Sequence, residues 1–571
     1  RNMAPSSGNV AASPHWKVKA SEPTKGFSPF VSFCFAINYI LGTGFLTIPW
    51  AFVQGGIVLS SLCLLLVTFL SDITIGYLLE TMAWAEEMLD DDMRWMEKKP
   101  DRDEQKKLLV YSPVINPASR NNRAKLSLEH GQDAKNKPQT SLLPMSAKNK
   151  QYNTTNKAIS INGVLLPSSD FGNAREPHRR QLITVEKKQP LNYLVKQRKF
   201  EVNALCRVFL GKPTMYFYTL VLSVYIYFTL WAYTAVFSSA MAQAFPFSTN
   251  GDEDESYLYY ACAFAAIVVP LSCLELNEQV IVQVSLSFCR FAMVFLMIYT
   301  GSTCAEEMRA KQEYLPEYVH DVSPQAPSQF FNLKGIGKML PILVFATIYH
   351  HSLPGLAHPV GDKTKLRSIF RSTCVFSSAS YAFIGCSLSI LFGANVEQSS
   401  NLNWKNYSGG TGTFDEDAGK WVNVALWARA ISLYVVCFPA IDVISAFPLN
   451  AITLGNSIMG FVYGRKIHHA EKNRIIVSLF RLLASLPPII MGIFVRDLGT
   501  ITDYAGTTGF IITFSFPAML YISSRRKAIE KNFSTITYYS SLFASSEAIA
   551  LVLFTFGAAM FLYVLSMIFY S

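Results

Sequence analysis

The chain has 571 residues, half of them apolar and only 16% charged, with a formal net charge of +10. The positive charge falls in connecting segments that would face anionic lipid, so it calls for no nucleic acid. No nucleophile–base set, metal-ligand spacing or Walker-type loop points to an enzyme, and nothing asks for a cofactor.

The average hides two kinds of chain: residues 1–28 and 97–199 are polar, while nearly everything else is hydrophobic. After a cytosolic N-terminal tail over 1–28, windowed hydropathy predicts about eleven spanning helices. They fall at 29–54, 57–80, 214–244, 258–274, 279–302, 336–358, 369–393, 421–447, 474–495, 500–523 and 547–570. The sequence therefore reads as an all-α polytopic membrane protein. It divides into the tail, helices one and two (29–96), a polar insert (97–199), and an amphipathic segment with helices three to eleven (200–571). The first apolar run is too long for a cleavable signal peptide and lacks a small-residue cleavage site.

Helix one carries Asn38-Tyr39-Ile40-Leu41-Gly42-Thr43-Gly44-Phe45-Leu46 at its middle. Lipid offers no partner for loosened backbone, so two glycines and a hydroxyl there predict either a break lining a polar cavity or a close-packed glycine face. The insert that follows helix two is rich in Lys, Asn, Ser and Pro and cannot bury enough apolar surface to fold alone. Within it, Glu104 with Leu108 and Leu109 has the form of an acidic dileucine sorting signal, which would bind a sorting adaptor. Residues 200–210 alternate at helical spacing and should lie on the membrane surface. Helix three brings Tyr225, Tyr227 and Tyr233; helix five brings Arg290; helix eight brings Asp442. Helix six contains Phe345-Ala346-Thr347-Ile348-Tyr349-His350-His351-Ser352-Leu353-Pro354-Gly355, where Pro354 should break the helix. Breaks in helices one and six, five helices apart, are a sequence-level pointer to a central substrate site between inverted halves.

The ten cysteines sit mostly inside spans, with Cys304 in a loop, and read as buried apolar residues. Basic connections around 359–371, 464–474 and 525–531 alternate with acidic or balanced ones, placing the N-terminus in the cytosol. The sequon at Asn406 then falls outside, where it would be glycosylated.

Asn38-x3-Gly42-Thr43-Gly44-Phe45-Leu46-x2-Pro49-x-Ala51, with Phe345-x4-His350 and Leu353-Pro354, is similar to the amino acid/auxin permease family of the amino acid–polyamine–organocation superfamily. His350-His351-Ser352-Leu353-Pro354 and the three tyrosines look closest to an orphan branch of it. The resemblance implies a five-plus-five inverted-repeat, LeuT-like fold and secondary transport of amino acids or related small zwitterions. A half-helix N-terminus at Gly42, Thr43 and Gly44 suits a carboxylate, and Tyr225 can reach the same point. Freed carbonyls near Ala346–Tyr349 would accept from an ammonium, while Phe45, Phe345 and Tyr349 would limit side-chain size.

Coupling by sodium or by protons stays open. Sodium-coupled relatives use an Asn at the position matching Asn38 and a hydroxyl on helix eight, and no such hydroxyl stands around Cys437–Asp442. Arg290 and Asp442 are lone intramembrane charges that should seek each other, with Arg290 in the place of the sodium ion. For protons, His350 and His351 at the break could titrate between pH 5 and 8, with Asp72 in helix two and Asp442 as competing carriers. The alternatives to a transporter are an amino-acid-sensing transceptor signalling through the insert, and an ion channel or scaffold. The dileucine form and the histidines favour a lysosome- or vacuole-like membrane over the plasma membrane.

Overall fold

A computed structural model describes residues 26–97, 193–196, 198–247, 253–274, 280–314, 330–415, 420–463, 470, 472–541 and 543–570. They belong to one compact unit formed by residues 1–97 and 189–571. Most of the insert, with Glu104, Leu108 and Leu109, lies outside the described residues, as does the side chain of Asn38.

Among the described residues the regular structure is helical apart from a small hairpin. In chain order the helices are α1 (Pro29–Ile40), α2 (Gly44–Gly55), α3 (Ile57–Glu97), α4 (Val202–Phe209) and α5 (Lys212–Ala244). Next come α6 (Glu253–Cys273), α7 (Val280–Tyr314), α8 (Ile336–Thr347), α9 (Leu353–Ala357) and α10 (Leu366–Phe392). The hairpin pairs β1 (Thr413–Asp415) with β2 (Lys420–Val422), antiparallel, with Phe414 opposite Trp421. After it follow α11 (Leu426–Tyr463), α12 (Arg474–Phe494), α13 (Leu498–Phe510), α14 (Phe516–Glu530) and α15 (Glu547–Tyr570). A π-turn at Ile511–Ser515 joins α13 to α14, so they run as one element. Among the described residues nine helices are long and apolar enough to cross a membrane.

Two further apolar stretches are split. α1 stops at Ile40 and α2 starts at Gly44, leaving Leu41–Thr43 unwound. α8 stops at Thr347 and α9 starts at Leu353, leaving Ile348–Ser352 unwound. The second break lies directly before Pro354, where the proline is expected to interrupt the helix. Pro354 itself stands in the first turn of α9, where a missing N–H is harmless.

Several helices outrun their apolar windows. α3 has 41 residues and is therefore about 60 Å long. Its polar end is held by ion pairs from the returning chain: Lys196 to Asp90 at 2.6 Å and Arg198 to Asp90 at 2.5 Å. α7 reaches Tyr314, so Cys304 is a buried helical residue rather than a loop residue. α4 also differs from expectation. Its apolar face (Val202, Leu205, Cys206, Phe209) is buried by protein, with the Ser523 hydroxyl donating to the Phe209 carbonyl at 2.7 Å. Asn406 ends a 3₁₀ segment and is half-buried, and the Ser408 hydroxyl of its sequon donates to Glu307 at 2.8 Å.

The two split elements meet at the centre. A Cβ placed on Gly44 would stand 2.8 Å from Ala346 Cα, so glycine is what lets α2 and α8 touch backbone to backbone. On the far side of the breaks packing is tight. Every residue from Met339 to Thr347 is buried, and a Cβ on Gly506 would overlap the Pro341 carbonyl oxygen.

Candidate functional site

A cavity of about 360 Å³ opens between the two breaks. Its wall takes Gly42, Thr43 and Gly44 from the first break and Ile348, His351 and Ser352 from the second. Apart from Gly44 and from Phe345 at the end of α8, the lining runs back along α1 to Phe35, along α9 to Leu356, and along α11 to Thr453. Thr453 is exposed and Tyr39 keeps 40% of its surface, whereas the α2 and α8 side is closed by packing. The cavity is thus accessible from the end of the bundle where α1 begins.

Three walls complete it. α5 presents Tyr225, Thr229 and Tyr233, one above another at intervals of four residues, the spacing that keeps side chains on one helix face. Tyr227 lies off that face, with its hydroxyl 3.5 Å from the Pro487 carbonyl. Tyr225 packs its ring 6.2 Å from Phe345 and 5.3 Å from His351. α11 presents Asp442, Ser445, Ala446, Leu449, Asn450 and Thr453, again a single helical stripe. α7 contributes Arg290, whose Nη2 donates to both carboxylate oxygens of Asp442, at 2.7 and 2.6 Å. Both side chains are buried, so the pair neutralises two charges that would be costly apart.

Polar groups of the first break point in two directions. The Thr43 hydroxyl is buried and has no hydrogen-bond partner among the described residues, although it lines the cavity. Two carbonyls freed by the breaks are engaged by one side chain. The Tyr381 hydroxyl, on α10, stands 3.0 Å from the Ile40 oxygen and 2.8 Å from the Ala346 oxygen. One phenol thus ties both broken elements together.

Not every residue singled out from the sequence reaches the cavity. Phe45 is core, 3% exposed, and does not line it. Ala346 sits behind the wall, with its carbonyl spent on Tyr381. Tyr349 is fully buried on the opposite side, its hydroxyl donating to the Phe370 carbonyl at 3.3 Å. His350 turns away too: its Nε2 meets the Thr74 hydroxyl of α3 at 2.9 Å. The reason is the turn at 350–352, which sends His350 to the side opposite His351 and Ser352. It is His351 that faces the cavity, with Nε2 3.0 Å from the Tyr39 hydroxyl. Asp72 is engaged by Arg367 at 2.7 Å and by Arg371 at 3.2 Å.

Sequence reasoning passed over Tyr39, Ser352, Thr229 and Asn450. The interval-of-four stripe from Tyr225, and the stripe that starts at Asp442, carried the signal for the last two. Among the described residues no group of three or more His, Cys, Asp or Glu could hold a metal ion.

The family model described as "Transmembrane amino acid transporter protein" matches residues 25–89 and 183–568, which include both breaks and every wall of the cavity. The chain belongs to that family. As a member of this transmembrane amino acid transporter family it is also similar along nearly its whole length to curated relatives. It is 22% identical over 565 residues to the transmembrane protein 104 homolog of Drosophila melanogaster, covering 94% of this chain and 96% of that one. The homolog of Dictyostelium discoideum is 22% identical over 521 residues, covering 90% and 92%. Transmembrane protein 104 of Homo sapiens is 19% identical over 527 residues, covering 88% of each. The family match leaves out residues 90–182, so it passes over most of the polar insert.

Proposed function

We propose that this family member is a secondary active transporter of amino acids or related small zwitterions, independent of sodium and driven by protons. The observation that carries the reading is the cavity of about 360 Å³ bounded by both helix breaks. That size falls at the lower end of small-molecule sites. The unpartnered Thr43 hydroxyl and the amides at the start of α2 suit a carboxylate, as a helix N-terminus does in general. Gly42, Thr43, Gly44, Tyr225 and Phe345 are the proposed substrate contacts.

In this reading the nine uninterrupted spans and the two broken ones make eleven, the first ten forming a five-plus-five inverted repeat. With the basic connections in the cytosol, the accessible end of the cavity faces inward. Arg290 then acts as a permanent cation between α1, α7 and α11, paired with Asp442 where a sodium ion would otherwise sit. Arg keeps its charge at all physiological pH, so Arg290 itself does not carry the coupling proton.

The test is uptake of a mixed labelled amino-acid pool into proteoliposomes, with an inward proton gradient and no sodium. Accumulation that an uncoupler collapses supports the reading. Uptake that begins only when sodium is added keeps a transporter and overturns the coupling. Silence under both conditions favours a sensor, a reading helped by one observation. Lys196 and Arg198, at the end of the insert, are pinned to Glu86, Glu87 and Asp90 at the end of α3. Movement of the transmembrane unit would thereby reach the insert.

A further inference from the structure

Three polar side chains bridge the two broken elements across the cavity wall. Tyr39 comes from the last turn of α1; His351 and Ser352 come from the unwound segment before α9. Ser352 Oγ donates to the Tyr39 hydroxyl. With that acceptor position used, the Tyr39 proton is directed to His351 Nε2, 3.0 Å away. The neutral imidazole then holds its own proton on Nδ1, an atom that is buried and has no hydrogen-bond partner among the described residues. An unsatisfied buried donor is costly unless something supplies an acceptor.

We propose that His351 carries the coupling proton and that Tyr39 and Ser352 are its positioning residues; this rests on the transporter reading above. Protonation adds one proton at Nε2. Tyr39 then accepts from the ring instead of donating to it, and its own O–H turns to Ser352 Oγ, whose proton is free to rotate away. Each hydrogen bond survives with its direction reversed, so the chain switches without breaking the tie between α1 and the second break. The positive imidazolium now faces the cavity that holds the substrate carboxylate. Carboxylate and proton therefore favour each other's binding, and the coupling is reciprocal.

The groups around the ring agree with this role. Tyr39 faces it from α1 and Tyr225 from α5, the latter with its ring at 5.3 Å, while His350 precedes it and turns toward Thr74. Arg290, Asp442, Tyr233 and Asn450 share the cavity, but the two charges neutralise each other. Cavity-facing Tyr225 and Tyr233 are phenols, which stay neutral in the range where histidine titrates. Among the described residues His351 is thus the imidazole on the cavity wall, a side chain whose charge a single proton changes.

The test uses the full chain in proteoliposomes, with an equimolar mixture of labelled standard amino acids as probe. In the wild type, net uptake should fall about tenfold per pH unit above the midpoint, as for one titrating group. His351→Gln keeps a hydrogen-bonding side chain without a titrating one, so whatever uptake it retains should have a flattened pH profile. A profile identical to wild type in an active His351→Gln protein overturns the proposal. Tyr39→Phe removes the donor to Nε2 and should shift the midpoint; an unmoved midpoint also overturns it, and this variant carries the test if His351→Gln does not fold. If the wild type transports nothing, the transporter reading fails by itself, and the thermal melting profile against pH still decides the proton site. Wild type and His351→Gln should diverge on acidification, and coincident melting profiles would remove His351 as the proton acceptor.

Discussion

Both carboxylate oxygens of Asp442 lie on a single nitrogen of Arg290, at 2.7 and 2.6 Å. Because the pair is buried, removing one partner is worse than removing both. Arg290→Ala should lower stability by about 3–5 kcal/mol by leaving a lone carboxylate inside the bundle. The double variant Arg290→Ala with Asp442→Ala should recover much of that loss. Melting curves in sodium chloride and in choline chloride provide the check. The wild type should melt alike in both, and the single Arg290 variant should be rescued in part by sodium. If sodium raises the wild-type melting temperature, the ion pair is not standing in for a cation.

Gly42 and Gly44 are two residues apart and should respond oppositely to the same substitution. A Cβ on Gly44 would lie 2.8 Å from Ala346 Cα, which is backbone and cannot swing aside, whereas one on Gly42 meets nothing closer than 4.0 Å. Gly44→Ala should therefore push α2 away from α8 at a cost of about 1–3 kcal/mol. Gly42→Ala should fold as well as wild type and act only by protruding into the cavity, weakening uptake through a raised KM. Comparable melting temperatures for the two variants would refute this contrast.

Tyr381 makes the strongest structural case outside the residues chosen from the sequence. Its hydroxyl serves the Ile40 and Ala346 carbonyls together, one from each break. Tyr381→Phe leaves two buried acceptors unsatisfied and should destabilise by about 1–3 kcal/mol. Hydrogen exchange should rise at Leu41–Thr43 and at Ile348–Ser352 together, because one group holds both. Faster exchange at one break alone would mean that the bridge is not shared.

What the sequence made legible divides along a physical line. Breaks at Gly42–Gly44 and before Pro354 were readable because glycine, hydroxyl and proline are intolerable in a lipid-facing helix centre. The Arg290–Asp442 partnership was readable because charge inside a bilayer demands a partner. Which of two adjacent histidines faces the cavity was not, since that depends on the turn geometry of an unwound segment, where no helical period applies. Helix ends were equally opaque. Hydropathy stops at Glu80, yet α3 continues to Glu97, because Glu86 and Asp90 gain partners from Lys196 and Arg198, more than a hundred residues away in sequence.

That clamp has its own consequence. Glu86 is 1% exposed, and its Oε1 accepts the backbone N–H groups of Lys196 at 3.2 Å and Arg198 at 3.1 Å. Burial works to lower the Lys196 pKa, but the hydrogen bonds and charges of Asp90 and Glu87 outweigh it, and the net shift is upward. A raised lysine pKa means stability present below the unfolded value and lost only as pH rises through the folded one, so this arm stays intact at neutral pH. Glu86→Ala should free residues 193–200 and raise their rate of limited proteolysis, leaving uptake intact. An unchanged cleavage rate would show that the clamp is held by Asp90 and Glu87 alone.

His350 and His351 should separate cleanly in function. His350 is 1% exposed and bonded to Thr74, itself anchored to the Ser71 carbonyl at 3.1 Å, so it ties the second break to α3. His350→Ala removes that tie and a buried ring together, and should destabilise by about 2–4 kcal/mol, within the range for large-to-small core changes. Its uptake should be reduced by the same factor at every pH, because the group lost does not face the cavity. A pH profile for active His350→Ala protein that is flatter than wild type would return the coupling role to His350.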